Sequence, residues 1–168
     1  MDEFEKFYNS ALRFLSYRPR SEQEIRDKLR KFKIKKTATT ETQNKDETQK
    51  LSAIIDRVIV KLKEQKFIND EEFTRWWIEQ RTNVQPRSIR LIKIELRRKG
   101  ISEEIIDNLP LTIDDLKNAK KLIEKKLPRY KGLSKQEIYQ KLGSFLARRG
   151  FDWETIKHGV DEVVKKGV

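Results

Sequence analysis

Three stretches of the chain repeat one spacing, and that repeat restricts the fold more than any other feature. An apolar residue is followed four positions later by leucine, and five positions after that by another apolar residue. The triplets are Ile25, Leu29, Ile34; Ile92, Leu96, Ile101; and Leu142, Leu146, Phe151. A spacing of four places the first two side chains on one face of an α-helix. Gly100 and Gly150 stand just before the last apolar residue of the second and third copies. Glycine accepts the left-handed conformation that closes a helix, and the apolar residue after it folds back onto the last turn. Lys33 holds that place in the first copy, which predicts a poorer cap. Each copy carries two or more basic residues near its end, where the helix dipole favours cations.

The rest of the chain has a helical period throughout. Apolar residues at Phe4, Phe7, Tyr8, Ala11, Leu12, Phe14 and Leu15 predict a helix over 5–17, which Arg18-Pro19 ends because the residue before proline avoids the helical region. Ser21 with Glu24 forms a capping-box pattern and opens a helix from Glu22 to about Phe32. The segment 35–50, KKTATTETQNKDETQK, contains one alanine and no larger apolar residue, so it is expected to be a mobile loop. Helices follow over 51–65 and, opened by Asn69 with Glu72, over 70–81. The second of these buries Phe73, Trp77 and Ile78, with Trp76 beside them. A turn at 83–86 leads to the central basic helix, 86–101. Ser102 caps a short helix, 103–109, which Pro110 stops. An amphipathic helix over 113–126 has Leu116, Ala119, Leu122 and Ile123 inside, and the stretch 128–132 breaks it. Ser134 with Glu137 opens the third basic copy, and Asp152 caps a last helix with Trp153, Ile156, Val160 and Val163 as its apolar stripe.

This pattern predicts an all-α fold of three tandem three-helix, helix-turn-helix-like repeats: 1–68 (with the loop 35–50), 69–110 and 111–168. Each repeat has a lead helix, a basic middle helix and a trailing helix, and packs mainly on its neighbours.

Composition narrows the function. The chain has no cysteine and one histidine, His158, which leaves no thiol chemistry or thiolate metal site. His158 lies off the apolar stripe of its helix and reads as a surface or partly buried residue. The acidic residues gather at helix starts (Asp70, Glu71, Glu72; Glu103, Glu104; Asp114, Asp115), where the helix dipole explains them without a metal. We therefore expect no enzyme activity, metal or cofactor. No apolar run is long enough to span a membrane, and MDEFEKF does not read as a signal peptide, so a cytoplasmic protein without membrane association is expected. The net charge is +12 with 39% charged residues, a balance that points to a polyanionic partner, above all nucleic acid or a nucleoprotein. A lysine-rich solvated surface is the plain alternative.

The central helix carries the sharper signal. Six basic residues and one acid, Glu95, lie between Arg87 and Lys99. Ile89, Ile92 and Leu96 form its inner face, and Arg90, Lys93 and Arg97 run beside that face. An ordinary solvated helix would alternate lysine with glutamate. A basic row of this kind can meet phosphates or acidic side chains. The candidate binding residues are Arg81, Arg87, Arg90, Lys93, Arg97, Arg98, Lys99, Arg148 and Arg149. Leu91 and Ile94 point away from the inner face, and neighbour packing is the favoured reading for them over an exposed apolar patch.

Several motifs together resemble one family. FINDEEFTRWWIEQR, the proline-arginine start with IELRRKGIS, FLARRGFDWETI and the opening SEQEIRDKL are similar to the signatures of RecX, the regulator of the RecA recombinase, over nearly the whole chain. The resemblance implies three three-helix repeats in an elongated, curved array. It also implies binding to the RecA–single-stranded-DNA filament, with suppression of strand exchange, ATPase and co-protease activities. That role lies in homologous recombination, DNA repair and the SOS response. Some members also bind DNA directly, duplex DNA included. The chain is expected to act as a monomer. In place of the family's glycine-rich turn stands Asn83-Val84-Gln85, with Pro86 three residues further away, so the central helix is expected to be almost one turn longer. The alternative reading is a helical-repeat DNA- or RNA-binding protein that acts without RecA.

Overall fold

The computed structural model describes residues 2–34, 45–108 and 113–165. These residues form nine α-helices and no strand: α1 (Glu3–Leu15), α2 (Glu22–Ile34), α3 (Lys45–Glu64), α4 (Asp70–Glu79), α5 (Ile89–Arg98), α6 (Glu103–Asp107), α7 (Asp115–Lys126), α8 (Lys135–Ala147) and α9 (Trp153–Lys165). A single π-helical turn, Gln80–Val84, follows α4, and a 3₁₀ turn, Leu127–Tyr130, follows α7. Among the described residues no helix is long and apolar enough to cross a membrane.

Side-chain caps set most of the helix starts. Ser21 Oγ accepts from Glu24 N at 3.2 Å while Ser21 N donates to the Glu24 carboxylate at 3.4 Å, the reciprocal pair of a capping box. Ser134 and Glu137 repeat it at α8. Asp2 and Glu5 form a third box at α1, which the sequence reading did not include. Asn69 accepts from Glu71 N and Glu72 N, and Asp152 accepts from Thr155 N at 2.7 Å. Asp114 caps α7 through Lys117 N, so that helix begins at Asp115 rather than at 113.

The chain forms two compact units, residues 1–76 with 98–105 and residues 77–97 with 106–168. The first has a core of Phe7, Ala11, Ile25, Leu29, Ile55, Val58, Ile59, Leu62 and Ile68, where α1, α2 and α3 pack on one another. The second has a core of Ala119, Leu122, Ile123, Ile138, Leu142, Leu146, Phe151, Ile156 and Val160 from α7, α8 and α9. All described members of the three repeated triplets are buried. The side chains of Lys33 and Ile34, which completed the first copy, lie outside the described residues, as do residues 35–44 and Pro110.

Four expectations are corrected. Residues 45–50 are the first turns of α3 and not loop, because the acids Asp46 and Glu47 in its first turn suit the positive end of the helix dipole. The central helix is shorter than the expected 86–101. Ser88 Oγ accepts from Leu91 N at 3.2 Å, which caps a helix running only from Ile89 to Arg98. The helix expected over 70–81 ends at Glu79, and a π turn over Gln80–Val84 follows it, closed by Gln85 N donating to Gln80 O at 3.0 Å. Trp153 is 65% exposed and stacks obliquely against Tyr139, with Ile156 and Val160 alone forming the buried part of the α9 stripe.

Candidate functional site

The start of α5 is fastened to the loop that ends α8, within the second unit. Gly150 has φ +87°, the left-handed conformation its place in the repeat predicts. That turn lets Ser88 N donate to Arg149 O at 3.1 Å, and Arg149 Nη1 donates back to Pro86 O at 3.2 Å. The approach is close: a Cβ on Gly150 would lie 2.6 Å from Ser88 Oγ and 2.7 Å from Leu91 Cβ. Leu91 is half-buried at this junction, in line with neighbour packing. Ile89 N donates to Asp115 Oδ1 at 2.8 Å. Burial holds the Asp115 carboxyl above its ordinary value, against the pull of that hydrogen bond.

The same junction is built in the first unit. Ser21 Oγ donates to Lys99 O at 2.7 Å, Glu22 N donates to Asp70 Oδ1 at 2.9 Å, and Gly100, at φ +76°, sits where a Cβ would meet Gln23 Cβ at 2.5 Å. A serine before the helix and an aspartate from the following lead helix recur in both. That recurrence was present in the sequence but carried no spacing signal.

On α5 the single acid organises the cations around it. Glu95 Oε2 accepts from Arg81 Nε at 2.7 Å and from Trp77 Nε1 at 2.9 Å, while its Oε1 lies 3.2 Å from Arg87 Nη1. The Arg81 guanidinium also lies over the Trp77 ring, 4.3 Å from its centroid. Arg149 stacks over Phe145 at 4.8 Å, and its pKa is lowered by burial first and then by the charges of Arg87 and Arg81. Two arginines, Arg81 and Arg87, thus share one carboxylate, with Arg149 as a like-charged neighbour, and the Arg87 Nε is buried without a hydrogen-bond partner among the described residues. The sequence reading named these arginines but not Glu95 or Trp77 as what holds them, since the pairing crosses elements.

The remaining candidates separate by exposure. Arg90, Arg97 and Arg148 are exposed in the second unit. Lys93 is only partly exposed and stands 3.8 Å from Asp107. In the first unit Arg98 is exposed, whereas Lys99 Nζ is bound to Glu24 Oε1 at 2.6 Å. Lys99 is thereby tied to α2 within the first unit. His158 is exposed, and among the described residues no group of three or more histidine, aspartate or glutamate side chains could hold a metal ion.

Comparison with known proteins agrees with this architecture. Models of the first, second and third three-helix domains of RecX match residues 8–34, 69–108 and 113–158. The regulatory protein RecX of Prosthecochloris aestuarii is 31% identical over 95% of this chain and 94% of its own length. That of Bacillus cytotoxicus is 33% identical over 96% of this chain, yet the chain spans only 55% of that relative's length. The crystal structure of RecX from Lactobacillus salivarius superposes with a TM-score of 0.65 at 29% identity, covering 95% of both chains. A second crystal structure, of regulatory protein RecX, gives 0.66 at 25% identity over 96% of this chain and 74% of the other. With the repeated spacing, the three matched domains and a full-length relative in agreement, the chain belongs to the RecX family.

Proposed function

We propose that the chain regulates the RecA recombinase by binding the RecA–single-stranded-DNA filament and lowering its strand-exchange, ATPase and co-protease activities. The observation that carries this reading is the basic face of the second unit. Arg90, Arg97 and Arg148 are exposed there, Arg81 and Arg87 are positioned on Glu95, and Arg149 lies near those two arginines. Such a face attracts a polyanionic nucleoprotein over a distance that salt shortens, and its arginines can bind phosphates or carboxylates in a bidentate way. Family membership supports this choice of partner, since the relatives are regulatory proteins named RecX, the family whose resemblance implies the RecA filament.

The test is Arg90→Glu combined with Arg97→Glu. Both side chains are exposed, so circular dichroism should show an intact fold; surface changes usually stay within about 0.5 kcal/mol. Inhibition of RecA ATPase on single-stranded DNA, read at two salt concentrations, should be largely lost. A control that also reverses two charges, Glu71→Lys with Glu154→Lys, should inhibit like the parent. A folded Arg90/Arg97 variant that inhibits at full strength would remove the basic face from the mechanism. Tight binding of bare DNA with no effect on RecA would instead establish a helical-repeat nucleic-acid-binding protein.

A further inference from the structure

The second unit also contains a cleft of about 550 Å³ that the proposed filament contact does not require. That volume lies inside the range of small-molecule sites, roughly 300–1,000 Å³. α7 and the 3₁₀ turn after it contribute Lys121, Lys125, Lys126 and Arg129, and the end of α8 contributes Phe145 and Arg149. Leu122, the end of the π turn, Gln85 and Pro86 complete the lining, and π turns recur at functional sites.

The charge of this lining is one-sided. Every ionisable side chain that lines the cleft is a cation. Lys120, on the same helix, pairs with Glu162 at 2.9 Å, whereas Lys121, Lys125, Lys126 and Arg129 form no ion pair among the described residues. Lys126 and Arg149 both lie over the Phe145 ring, 4.9 and 4.8 Å from its centroid, so one ring of the lining meets two cations. Burial first, and then the charges of Arg87 and Arg81 behind the cleft, lower the pKa of Arg149. Cations gathered on a concave low-dielectric wall focus a positive potential, and an anion placed there relieves their mutual repulsion.

The density of charge selects the ligand. Phosphates joined by bridging oxygens concentrate several negative charges in the space the cleft offers. A single strand of nucleic acid instead spreads one charge per nucleotide along an extended backbone, and suits a groove better than a cleft. We propose that this cleft binds an oligophosphate, the group that a nucleoside triphosphate and inorganic polyphosphate share. The site stands independently of RecA, because its ligand is small and its test contains no recombinase.

The full chain would be titrated calorimetrically with inorganic tripolyphosphate, ATP and AMP at constant ionic strength. Tripolyphosphate and ATP should saturate at one per chain, with AMP weaker by about tenfold or more, the scale of one lost charged hydrogen bond. Tighter binding of ATP than of tripolyphosphate assigns a nucleotide source, and equal binding assigns the phosphate chain alone; either supports the site. Lys125→Gln with Arg129→Gln should weaken binding by about tenfold or more. Arg90→Gln with Arg98→Gln removes the same net charge elsewhere and should change it less than about twofold. Lys121→Gln alone provides a second cleft variant, and circular dichroism confirms the fold of each. Absence of saturable binding overturns the proposal, as does an equal loss in the two double variants. So does an oligothymidylate that displaces tripolyphosphate at lower concentration from the parent but not from the cleft variant.

Discussion

Removing the Glu95 carboxylate should destabilise the second unit more than its place on a basic surface helix suggests. Glu95→Ala takes the acceptor from the Trp77 indole, from Arg81 and from Arg87 in one step. Losing one partner of a fully buried ion pair costs roughly 3–5 kcal/mol, because the other charge is left uncompensated. The Glu95, Arg81 and Arg87 side chains are 15%, 18% and 28% exposed, so water screens part of that loss. We expect about 2–3 kcal/mol, with the stranded indole donor included in it. For a chain of this length that is on the order of 4–12 °C in melting temperature. Glu95→Gln should recover about half, since its one carbonyl oxygen can still accept from the indole or from Arg81. Lys93→Gln, which breaks only the looser contact to Asp107, should cost less than about 0.5 kcal/mol. Urea unfolding followed by far-ultraviolet circular dichroism and by tryptophan fluorescence measures all three, and coincident curves verify a single transition. If Glu95→Ala unfolds within about 0.5 kcal/mol of the parent, the carboxylate is not what holds the cluster and the reasoning fails.

Two further outcomes test the packing. Burial pushes the Glu24 carboxyl up, but Arg18 and Lys99 outweigh it and hold the folded value below the ordinary glutamate range. Its contribution is therefore complete above that ordinary value and is lost as pH falls through the lower folded one; Glu24→Gln should cost about 1–2 kcal/mol at neutral pH, and the gap to the parent should close in acid. Gly150→Ala meets both a left-handed backbone and the Ser88 and Leu91 side chains, and should cost about 2–4 kcal/mol. Gly132→Ala shares the positive φ with open space around it, and should cost only about 1 kcal/mol. Equal losses at the two glycines in thermal melts would show that the close approach at Gly150 relaxes freely.

The sequence by itself determined the helices and most of the buried faces. These depend on local rules that act within a few residues: the four-residue spacing of Ile25 and Leu29, of Ile92 and Leu96, and of Leu142 and Leu146; the Ser21 and Ser134 caps; and the left-handed Gly100 and Gly150. It misjudged the ends of the central helix because a side-chain cap at Ser88 and a π turn at Gln80–Val84 compete with simple periodicity, and neither leaves a periodic trace. It read Trp153 as inside because a stripe shows direction on the helix but not where the covering partner stops. Only the tertiary structure decided which cations are bound up and which are exposed. Arg81, Arg87 and Arg90 look alike along the chain. Two of them meet Glu95, from eight and fourteen positions away, and the third faces solvent. Glycine's second duty was equally hidden. Its φ follows from its place after a helix, but the need for no side chain at Gly150 arises from Ser88, sixty-two positions earlier, brought within contact by the fold. Local conformation is a property of neighbours in sequence, and charge compensation is a property of neighbours in space.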